Sequence, residues 1–249
     1  MTGRLDRGQR LVLADGLGDS AETVIPVHIL RQGLCHAWVA GEPERPDAAV
    51  IQSTSLMGEP WAFGNGVEAI WRLLDYATGW RTVDAPAATA QALGAVMERE
   101  TGRPARHYGD VYYTLTRPAL RAGTPEVRRL RRDDEPLMAH YMKTPHWSGS
   151  EGFEPIAAGA AIDGRLVGLA HVSAITERYA DIGVSTLEPW RGRGFATAAA
   201  SIVAQAIQEG GRTPVWSAGE GNAASLRVAA KLGFEEVSRR VYVSLAYGT

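Results

Sequence analysis

The stretch that decides the fold is Arg191-Gly192-Arg193-Gly194-Phe195-Ala196, which stands between a strand-like segment and an alanine-rich helical segment. The two glycines allow backbone amides to approach a ligand closely, and the N-terminus of the following helix adds a partial positive charge. The two arginines oppose the helix dipole at this end, so without an anion they destabilise the helix mildly. The stretch is therefore either a cradle for a diphosphate group or a tight surface turn with solvated arginines.

Two other kinds of phosphate-binding loop do not fit this stretch. A P-loop requires Gly-Lys-Ser/Thr, which does not follow, and the dinucleotide fingerprint requires a third glycine, which is missing. Another glycine-containing stretch, Gly16-Leu17-Gly18, lacks the strand and helix that a nucleotide-binding loop requires. Residues 191–196 remain the candidate anion cradle.

The segments around this candidate cradle predict a mixed sheet. Strands are predicted at residues 126–130, 155–162, 165–175, 180–186, 214–218 and 241–245, with Asp163-Gly164 as the turn of a hairpin. Helices are predicted from Asp133 or Asp134 through Tyr141, over residues 196–208, and from Asn222 through Lys231. An antiparallel meander followed by helix, strand, helix and strand indicates an α/β fold with a mixed, mostly antiparallel central sheet flanked by helices.

The first half of the chain shows a similar alternation of elements. Strands are predicted at residues 36–40, 49–53 and 80–83, and helices at residues 67–76 and 89–101. Residues 116–125 carry two prolines and a glycine without clear periodicity, as linkers do. We therefore predict two domains, a smaller α/β domain at residues 1–117 and a second domain at residues 126–249.

Composition and charge limit the class of protein. The 249 residues carry a formal net charge of -2, which gives no electrostatic reason to expect nucleic acid or an anionic membrane as a partner. No apolar run approaches the roughly 18 residues of a membrane span, and the N-terminus lacks the apolar core of a secretory peptide. The single cysteine, Cys35, excludes an intramolecular disulfide and suits a reducing compartment. We expect a soluble cytoplasmic protein.

Two segments of the second half resemble the cofactor motifs of the GNAT superfamily, the Gcn5-related N-acetyltransferases. The first runs from Val184 to Trp190 and continues with the pattern Arg-x-x-Gly-x-Ala at residues 191–196. The second comprises residues 222–227 and the stretch Lys231-Leu232-Gly233-Phe234. Their order and separation also resemble those of the superfamily, and the resemblance extends from Glu126 to the end of the chain.

The resemblance implies a binding site for acetyl-CoA. It implies that the pantetheine arm hydrogen-bonds a strand at Val184 and Thr186, and that Asn222 and Ser225 contact the pantetheine or its sulfur end. It implies that the diphosphate receives backbone amides from Arg191, Gly192, Arg193, Gly194, Phe195 and Ala196, with Thr197 at the start of the helix. No such motif follows the strands of the first half, so we expect a cofactor-free, degenerate acetyltransferase-like domain there. No metal site is predicted.

Direct attack of an amine on a thioester requires a proton acceptor. A lysine-like amine has a pKa near ~10.4, so its deprotonation at neutral pH costs about 4 kcal/mol. Asp181 is the first candidate base, because a carboxylate within a central strand is costly unless it is paired or used; a solvated carboxylate at the strand's end is the alternative. Glu220 and His171 are the next candidates. The alternative for Glu220 is a solvated loop residue, and the alternative for His171 is a hydrogen-bonded core histidine. The amides of Val184 and Ser185 are candidate donors to the oxyanion.

One position departs from the superfamily pattern. Many members carry a tyrosine seven residues after the asparagine of the second motif as the general acid, and in this chain that position is Ala229. Another group, solvent or Ser225 then protonates the thiolate. We expect a monomer or homodimer that transfers acetyl from acetyl-CoA to a primary amine of a small molecule. The alternatives are a non-catalytic acyl-CoA-binding module and acetylation of a protein N-terminus or lysine.

Overall fold

The computed structural model describes residues 3–142 and 156–246 of the chain. Contacts between residues divide the chain into two compact units. The first comprises Met1–Val111, Gly219–Gly221 and Ser238–Thr249, and the second comprises Tyr112–Ala218 and Asn222–Val237. These bounds differ from those of the predicted domains, because the end of the chain belongs to the first unit. The domain assignment at residues 1–117 and 126–249 stays a prediction.

The first unit combines helices with a mixed sheet. Its helices are α1 (Arg7–Leu17), α2 (Val24–Gln32), α3 (Val67–Leu74) and α4 (Ala87–Thr101). Its strands are β1 (Cys35–Glu42), β2 (Arg45–Ser53), β3 (Trp61–Gly64), β4 (Thr82–Ala85), the greater part of β5 (Ala105–Thr114) and the greater part of β11 (Glu235–Leu245). The order β1-β2-β3-β4-β11 is antiparallel except for the pair β3 and β4, which is parallel and aligns Trp61 with Asp84.

Two apolar clusters hold the first unit together. One gathers side chains of α3 and α4 against the sheet, including Ile70, Leu73 and Leu93, each at most 1% exposed. The other gathers α1 and α2, including Leu13 and Leu30. The predicted helices at 67–76 and 89–101 are confirmed as α3 and α4, because their apolar residues recur at helical spacing. Four elements, α1, α2, β3 and β5, were not predicted from the sequence.

The second unit carries the elements around the candidate cradle. Its strands are β6 (Val127–Arg129), β7 (Ala157–Ile162), β8 (Arg165–Ile175), β9 (Tyr179–Thr186) and β10 (Thr213–Gly219). Its helices are α5 (Glu135–Met142), α6 (Phe195–Glu209) and α7 (Ala223–Leu232). The strand order is β10-β9-β8-β7-β6, with a parallel pair between β10 and β9 and antiparallel pairs elsewhere. The predicted α/β fold with a mixed, mostly antiparallel sheet is confirmed.

The hairpin between β7 and β8 forms at the predicted turn. Asp163 and Gly164 have φ values of 49° and 72°, and Ile162 pairs with Arg165 across them. Both turn residues therefore adopt the left-handed conformation that an Asp-Gly turn with the twist of a hairpin requires. The predicted strand begins at Pro155, and this residue lies outside the described part of the chain.

Helices α6 and α7 pack against the sheet mainly through small residues. Ala199, Ala200 and Ala204 are fully buried and let the α6 backbone lie close to the strands. Asn222 is the N-cap of α7, and its side-chain oxygen accepts a hydrogen bond of 3.1 Å from the amide of Ser225. Gly233 ends α7 in a left-handed conformation. The predicted bounds of both helices are confirmed within one residue.

Asp134, one of the two residues predicted to begin this helix, lies directly before α5. Residues Arg132–Asp134 form a short 3-10 turn, and Asp134 accepts a hydrogen bond of 2.8 Å from the amide of Arg131. Asp134 also receives two hydrogen bonds from Arg128, and these lower the pKa of its carboxyl to about 2. The carboxylate therefore holds the turn before the helix. None of the helices within residues 3–142 and 156–246 has the length and apolar character needed to cross a membrane.

Candidate functional site

Strands β9 and β10 diverge within the second unit. In the described part of the chain their parallel register spans three residue pairs, from Tyr179 with Thr213 to Asp181 with Val215. On its other side β9 stays paired with β8 as far as Thr186. Residues 182–186 of β9 therefore present a backbone edge toward the gap that opens beside β10.

The hydrogen-bond pattern of β9 shows which backbone groups face this gap. The amide of Leu187 donates to the carbonyl of Val167, so these two residues form a hydrogen-bonded antiparallel pair. Because bonding alternates along an antiparallel pair, Gly183 and Ser185 also bond to β8. The amides of Val184 and Thr186 accordingly point toward the gap. These are the two residues at which the superfamily resemblance placed the pantetheine arm.

The turn between β9 and α6 is open and positively charged. Gly192 and Gly194 have φ values of 79° and 83°, and a Cβ at either position has no described atom within 4 Å. Gly194 is the N-cap of α6, so the amides of Phe195, Ala196 and Thr197 lack intrahelical acceptors. Backbone donors without intrahelical acceptors at a helix N-terminus form a site suited to an anion.

The side chains of this turn are packed in a defined way. The guanidinium of Arg193 lies 4.5 Å from the ring centroid of Trp190, and that ring contacts the buried ring of Phe195. Arg191 donates a hydrogen bond of 3.3 Å from Nε to the carbonyl of Thr186. Two cationic groups are therefore held at the mouth of the turn, and Trp190 packs between Arg193 and Phe195.

Asp181 is buried at the point where β9 and β10 separate. Its residue is 4% exposed, so the alternative of a solvated carboxylate at the strand's end is wrong. One carboxylate oxygen accepts a hydrogen bond from Ser173, and the other accepts one of 3.2 Å from Ser217. Burial raises the pKa of Asp181 to about 6, although the two serine hydrogen bonds act in the opposite direction.

Ser225 is oriented by a residue that the sequence analysis did not assign to the site. The indole Nε1 of Trp216 donates a hydrogen bond of 2.9 Å to Ser225 Oγ, and Trp216 is 1% exposed. The hydroxyl of Ser225 keeps its own proton for another acceptor. One helical turn later, Ala229 is fully buried in the same apolar cluster as Trp216. This hydrogen bond joins two residues that are nine positions apart, and no short sequence motif reveals it.

Glu220 belongs to the first unit and is held there by structural contacts. Its Oε1 accepts a hydrogen bond of 2.8 Å from the amide of Gly109, and its Oε2 lies 3.7 Å from Arg239. A Cβ at Gly109 would lie 2.6 Å from the same carboxylate. Glu220 therefore braces strand β5 at Gly109, and it is an exposed loop residue, as the alternative to a base in the sequence analysis has it.

Two further side chains lie on the face of β9 that carries Asp181. The ring of His171 occupies the space beside Gly183, where a Cβ would come within 2.8 Å of its Cε1. Burial lowers the pKa of His171 to about 4, so a titration near neutrality is not expected. The hydroxyl of Tyr141 lies 2.9 Å from Ser185 Oγ, and burial raises the pKa of this tyrosine. Tyr141 was predicted only as a helix residue.

Solved structures with the same fold extend over nearly the whole chain. A GCN5-related N-acetyltransferase-like protein from Streptococcus suis is 20% identical, with a TM-score of 0.69, and the match covers 96% of this chain and 99% of that one. A GCN5-related N-acetyltransferase from Kribbella flavida is 17% identical, with a TM-score of 0.65, covering 93% and 97%. A tandem GNAT protein from the clavulanic acid biosynthesis pathway is 17% identical, with a TM-score of 0.58, covering 100% and 99%. The shared feature is the fold of the GCN5-related N-acetyltransferases.

The second unit also carries a family match in sequence. Residues 130–242 match the family model described as GNAT acetyltransferase, so this segment is a GNAT acetyltransferase domain. The resemblance inferred from the two motifs is thereby confirmed. No curated protein sequence matches the chain. Family and fold together support an acyltransferase that uses an acyl-CoA donor.

Proposed function

We propose that this protein is an N-acetyltransferase that moves acetyl from acetyl-CoA to the primary amine of a small molecule. The observation that carries the proposal is the position of two features on one strand. The exposed backbone edge of β9 begins after Asp181, and the open turn at Gly192 and Gly194 follows where that strand ends. A thioester arm bonded along the edge and a diphosphate bound at the turn form one continuous ligand.

The cofactor is bound by backbone groups and by positive charge. The amides of Val184 and Thr186 hydrogen-bond the pantetheine arm, and the amides at the start of α6 bind the diphosphate. Arg191 and Arg193 supply charge of the right sign. The cofactor-binding set proposed from the sequence is retained: Val184, Ser185, Thr186, Arg191, Gly192, Arg193, Gly194, Phe195, Ala196, Thr197, Asn222 and Ser225.

Asp181 is the proposed final proton acceptor of the reaction. The pKa of this carboxyl is raised from its ordinary value of 3.8 to about 6. A rise of about two pKa units makes proton transfer from an alkylammonium group easier by about 3 kcal/mol. A base with a pKa of about 6 is still ionised at neutral pH, so it accepts a proton without prior activation.

Ser225 is the proposed proton donor to the departing thiolate. Ala229 supplies no hydroxyl at the position where many superfamily members carry tyrosine, and Ser225 lies on the same helix one turn earlier. The hydrogen bond from Trp216 fixes the orientation of Ser225 Oγ and leaves its O–H available. A serine hydroxyl is a weaker acid than a phenol, so we expect its contribution to be modest.

The test combines cofactor binding with turnover. Calorimetry with acetyl-CoA should show binding, and the release of free CoA should depend on an added amine. Small primary amines, peptides with free N-termini and lysine peptides compared in one panel separate the small-molecule assignment from the protein-directed alternatives. Tight binding without CoA release for any amine would instead support a non-catalytic acyl-CoA-binding module. Absence of binding would remove the proposal.

Localisation and assembly are proposed on narrower grounds. Cys35 is the single cysteine and is buried, and burial raises the pKa of its thiol to about 11. A single cysteine forms no intramolecular disulfide, as is usual in a reducing compartment, so we propose that the protein is cytoplasmic. We also propose that it acts as a monomer or homodimer, which light scattering at assay concentration tests directly.

A further inference from the structure

The proposed base is buried and hydrogen-bonded on both oxygens. Asp181 is 4% exposed, and both of its carboxylate oxygens accept hydrogen bonds from serine hydroxyls. Its two partners, Ser173 and Ser217, are each half-buried. The two serine hydroxyls are therefore direct hydrogen-bonded routes by which a proton can reach Asp181.

Ser217 stands on the side of the cluster that faces the gap. Val215 is aligned with Asp181 in the last residue pair of the parallel register, and Ser217 lies two residues further along β10. Residues two apart on a strand share a face, so Ser217 is on the face of Asp181 and beyond the point of divergence. Its Oγ lies 3.2 Å from Asp181 Oδ1. Of the two serines, Ser217 is the one placed at the opening.

Ser173 is brought to Asp181 by an irregularity in β8. The register between β8 and β9 shifts between Val172 and Ala174, so Ser173 is the extra residue of a β-bulge. A bulge redirects the side chain of its extra residue. Here the hydroxyl of Ser173 reaches Asp181 Oδ2 and lies 3.3 Å from the Asp181 carbonyl. Ser173 therefore fixes the carboxylate from the side opposite Ser217.

We propose that Ser217 relays the proton of the acceptor amine to Asp181, with Ser173 as the positioning residue that holds the carboxylate. This proposal rests on the proposed acetyltransferase function. The ammonium N–H bond breaks as a proton moves to Ser217 Oγ, and the Ser217 O–H bond breaks as its own proton moves to Asp181 Oδ1. The nitrogen lone pair is then free to attack the thioester carbonyl. Asp181 ends the step neutral, and solvent recovers the proton.

The relay is distinguishable from a purely structural role of the two serines. A structural serine satisfies a buried carboxylate, and its loss changes stability. A relay serine also changes the rate of proton transfer, so its loss lowers kcat and a hydroxyl-bearing replacement restores it. Removing either hydroxyl removes a hydrogen bond that favours the ionised carboxylate, so the acid limb of the pH–rate profile should move to higher pH.

The experiment uses full-length protein with acetyl-CoA and the best amine of the panel. Ser217→Ala should lower kcat at least tenfold without changing the Kd for acetyl-CoA, and Ser217→Thr should restore most of the rate because it keeps the hydroxyl. Ser173→Ala should lower kcat two- to fivefold and shift the acid limb upward. Ser238→Ala, at a half-buried serine of β11, is the matched control and should change neither.

Several outcomes would overturn the relay. A Ser217→Ala enzyme with wild-type kcat and an unshifted pH profile would do so, and so would equal impairment of the alanine and threonine variants. If the alanine variants do not fold, the wild-type rate in mixtures of light and heavy water decides. If two protons move together in the rate-limiting step, the rate follows a curve as the fraction of heavy water increases. A linear dependence of the rate on that fraction contradicts the relay. The acetyltransferase proposal itself falls if the wild-type protein does not bind acetyl-CoA, or if it releases no CoA with any amine.

Discussion

Within residues 3–142 and 156–246, two parallel strand pairs, β9–β10 and β3–β4, differ in what lies between their strands. In the second unit, β9 and β10 separate beyond Asp181 and leave a backbone edge uncovered. In the first unit, β3 and β4 are aligned at Trp61 and Asp84, and the guanidinium of Arg240 donates to the carbonyls of both Ala62 and Asp84. The same guanidinium pairs with the carboxylate of Asp84 and lies 4.5 Å from the ring centroid of Phe63. One pair is open to a ligand, and the other is closed by a side chain of the protein.

The turns that follow β9 and β3 differ in the same way, because the first is open and the second is filled by neighbouring backbone. After β9, a Cβ at Gly192 or Gly194 has no described atom within 4 Å. After β3, a Cβ at Gly64 would lie 2.3 Å from the carbonyl oxygen of Asp47, and the amide of Gly66 already donates to that oxygen. Glu68 adds a negative charge in the first turn of α3. The turn after β3 is therefore filled by Asp47, whereas the space beside Gly192 and Gly194 is open.

The largest expected effect comes from the carboxylate of the open pair. Asp181→Asn keeps the size and some of the hydrogen bonding but cannot accept a proton, so kcat should fall by roughly 10²- to 10⁴-fold. The Kd for acetyl-CoA should stay within about twofold, because the proposed cofactor contacts are made by backbone groups and not by Asp181. Steady-state kinetics and calorimetry on the same preparation check both values. An Asp181→Asn enzyme within about threefold of the wild-type rate would show that the base lies elsewhere.

The next largest effect concerns the closed pair. Arg240 and Asp84 are each 1% exposed, so Arg240→Met leaves a buried carboxylate without its cation. Removing one partner of such a pair typically destabilises a protein by about 3–5 kcal/mol. Denaturant unfolding should show this loss, and Arg240→Met combined with Asp84→Asn should recover a large part of it. Equal stability of the single and double variants would mean that the loss comes from the packing and carbonyl hydrogen bonds of Arg240 and not from an unpaired Asp84 carboxylate.

The sequence identified residues around the open pair, β9 and β10, but not the contact between Arg240 and Asp84 that closes the pair β3 and β4. The reason is physical. The cradle, the capping asparagine and the hairpin turn depend on neighbouring residues, so glycine, asparagine and Asp-Gly at fixed spacing reveal them. Arg240 and Asp84 lie 156 residues apart, and nothing local distinguishes Arg240 from the exposed Arg239 beside it. The partners of Asp181 depend on a β-bulge and on strand register, which the sequence pattern leaves undetermined. For the same reason Glu220 and Ser225 could be named from the sequence while their partners Gly109 and Trp216 could not.

The open site should also have a cost in stability, with a defined dependence on pH. The pKa of Asp181 is raised from 3.8 to about 6 in the folded protein, so the unfolded chain loses this proton first as pH rises. Ionised Asp181 therefore destabilises the folded state above about pH 6, by up to about 3 kcal/mol, and has no such effect below about pH 4. Asp181→Asn should accordingly be more stable than wild type at pH 8, and the gain should vanish at pH 4.

A second carboxylate supplies a control of opposite sign for this measurement. The hydrogen bonds from Arg128 lower the pKa of Asp134 to about 2, so its ionised form stabilises the folded state at neutral pH. Asp134→Asn should lower stability at pH 7, and its effect should shrink as pH falls toward 2. Chemical unfolding at several pH values measures both variants. A gain for Asp181→Asn that is independent of pH would mean that burial does not perturb this carboxyl.

The smallest expected effect concerns the charge at the open turn. Arg193 is exposed and lies over Trp190, so its contribution to diphosphate binding is screened by solvent and salt. Arg193→Gln should weaken acetyl-CoA binding by about three- to fivefold at low salt, a difference that shrinks as ionic strength rises. Arg165→Gln, at the exposed hairpin between β7 and β8, is the matched control for net charge and should leave the Kd unchanged. Equal losses for the two variants would indicate a general charge effect, whereas a loss confined to Arg193→Gln places the anion at the turn.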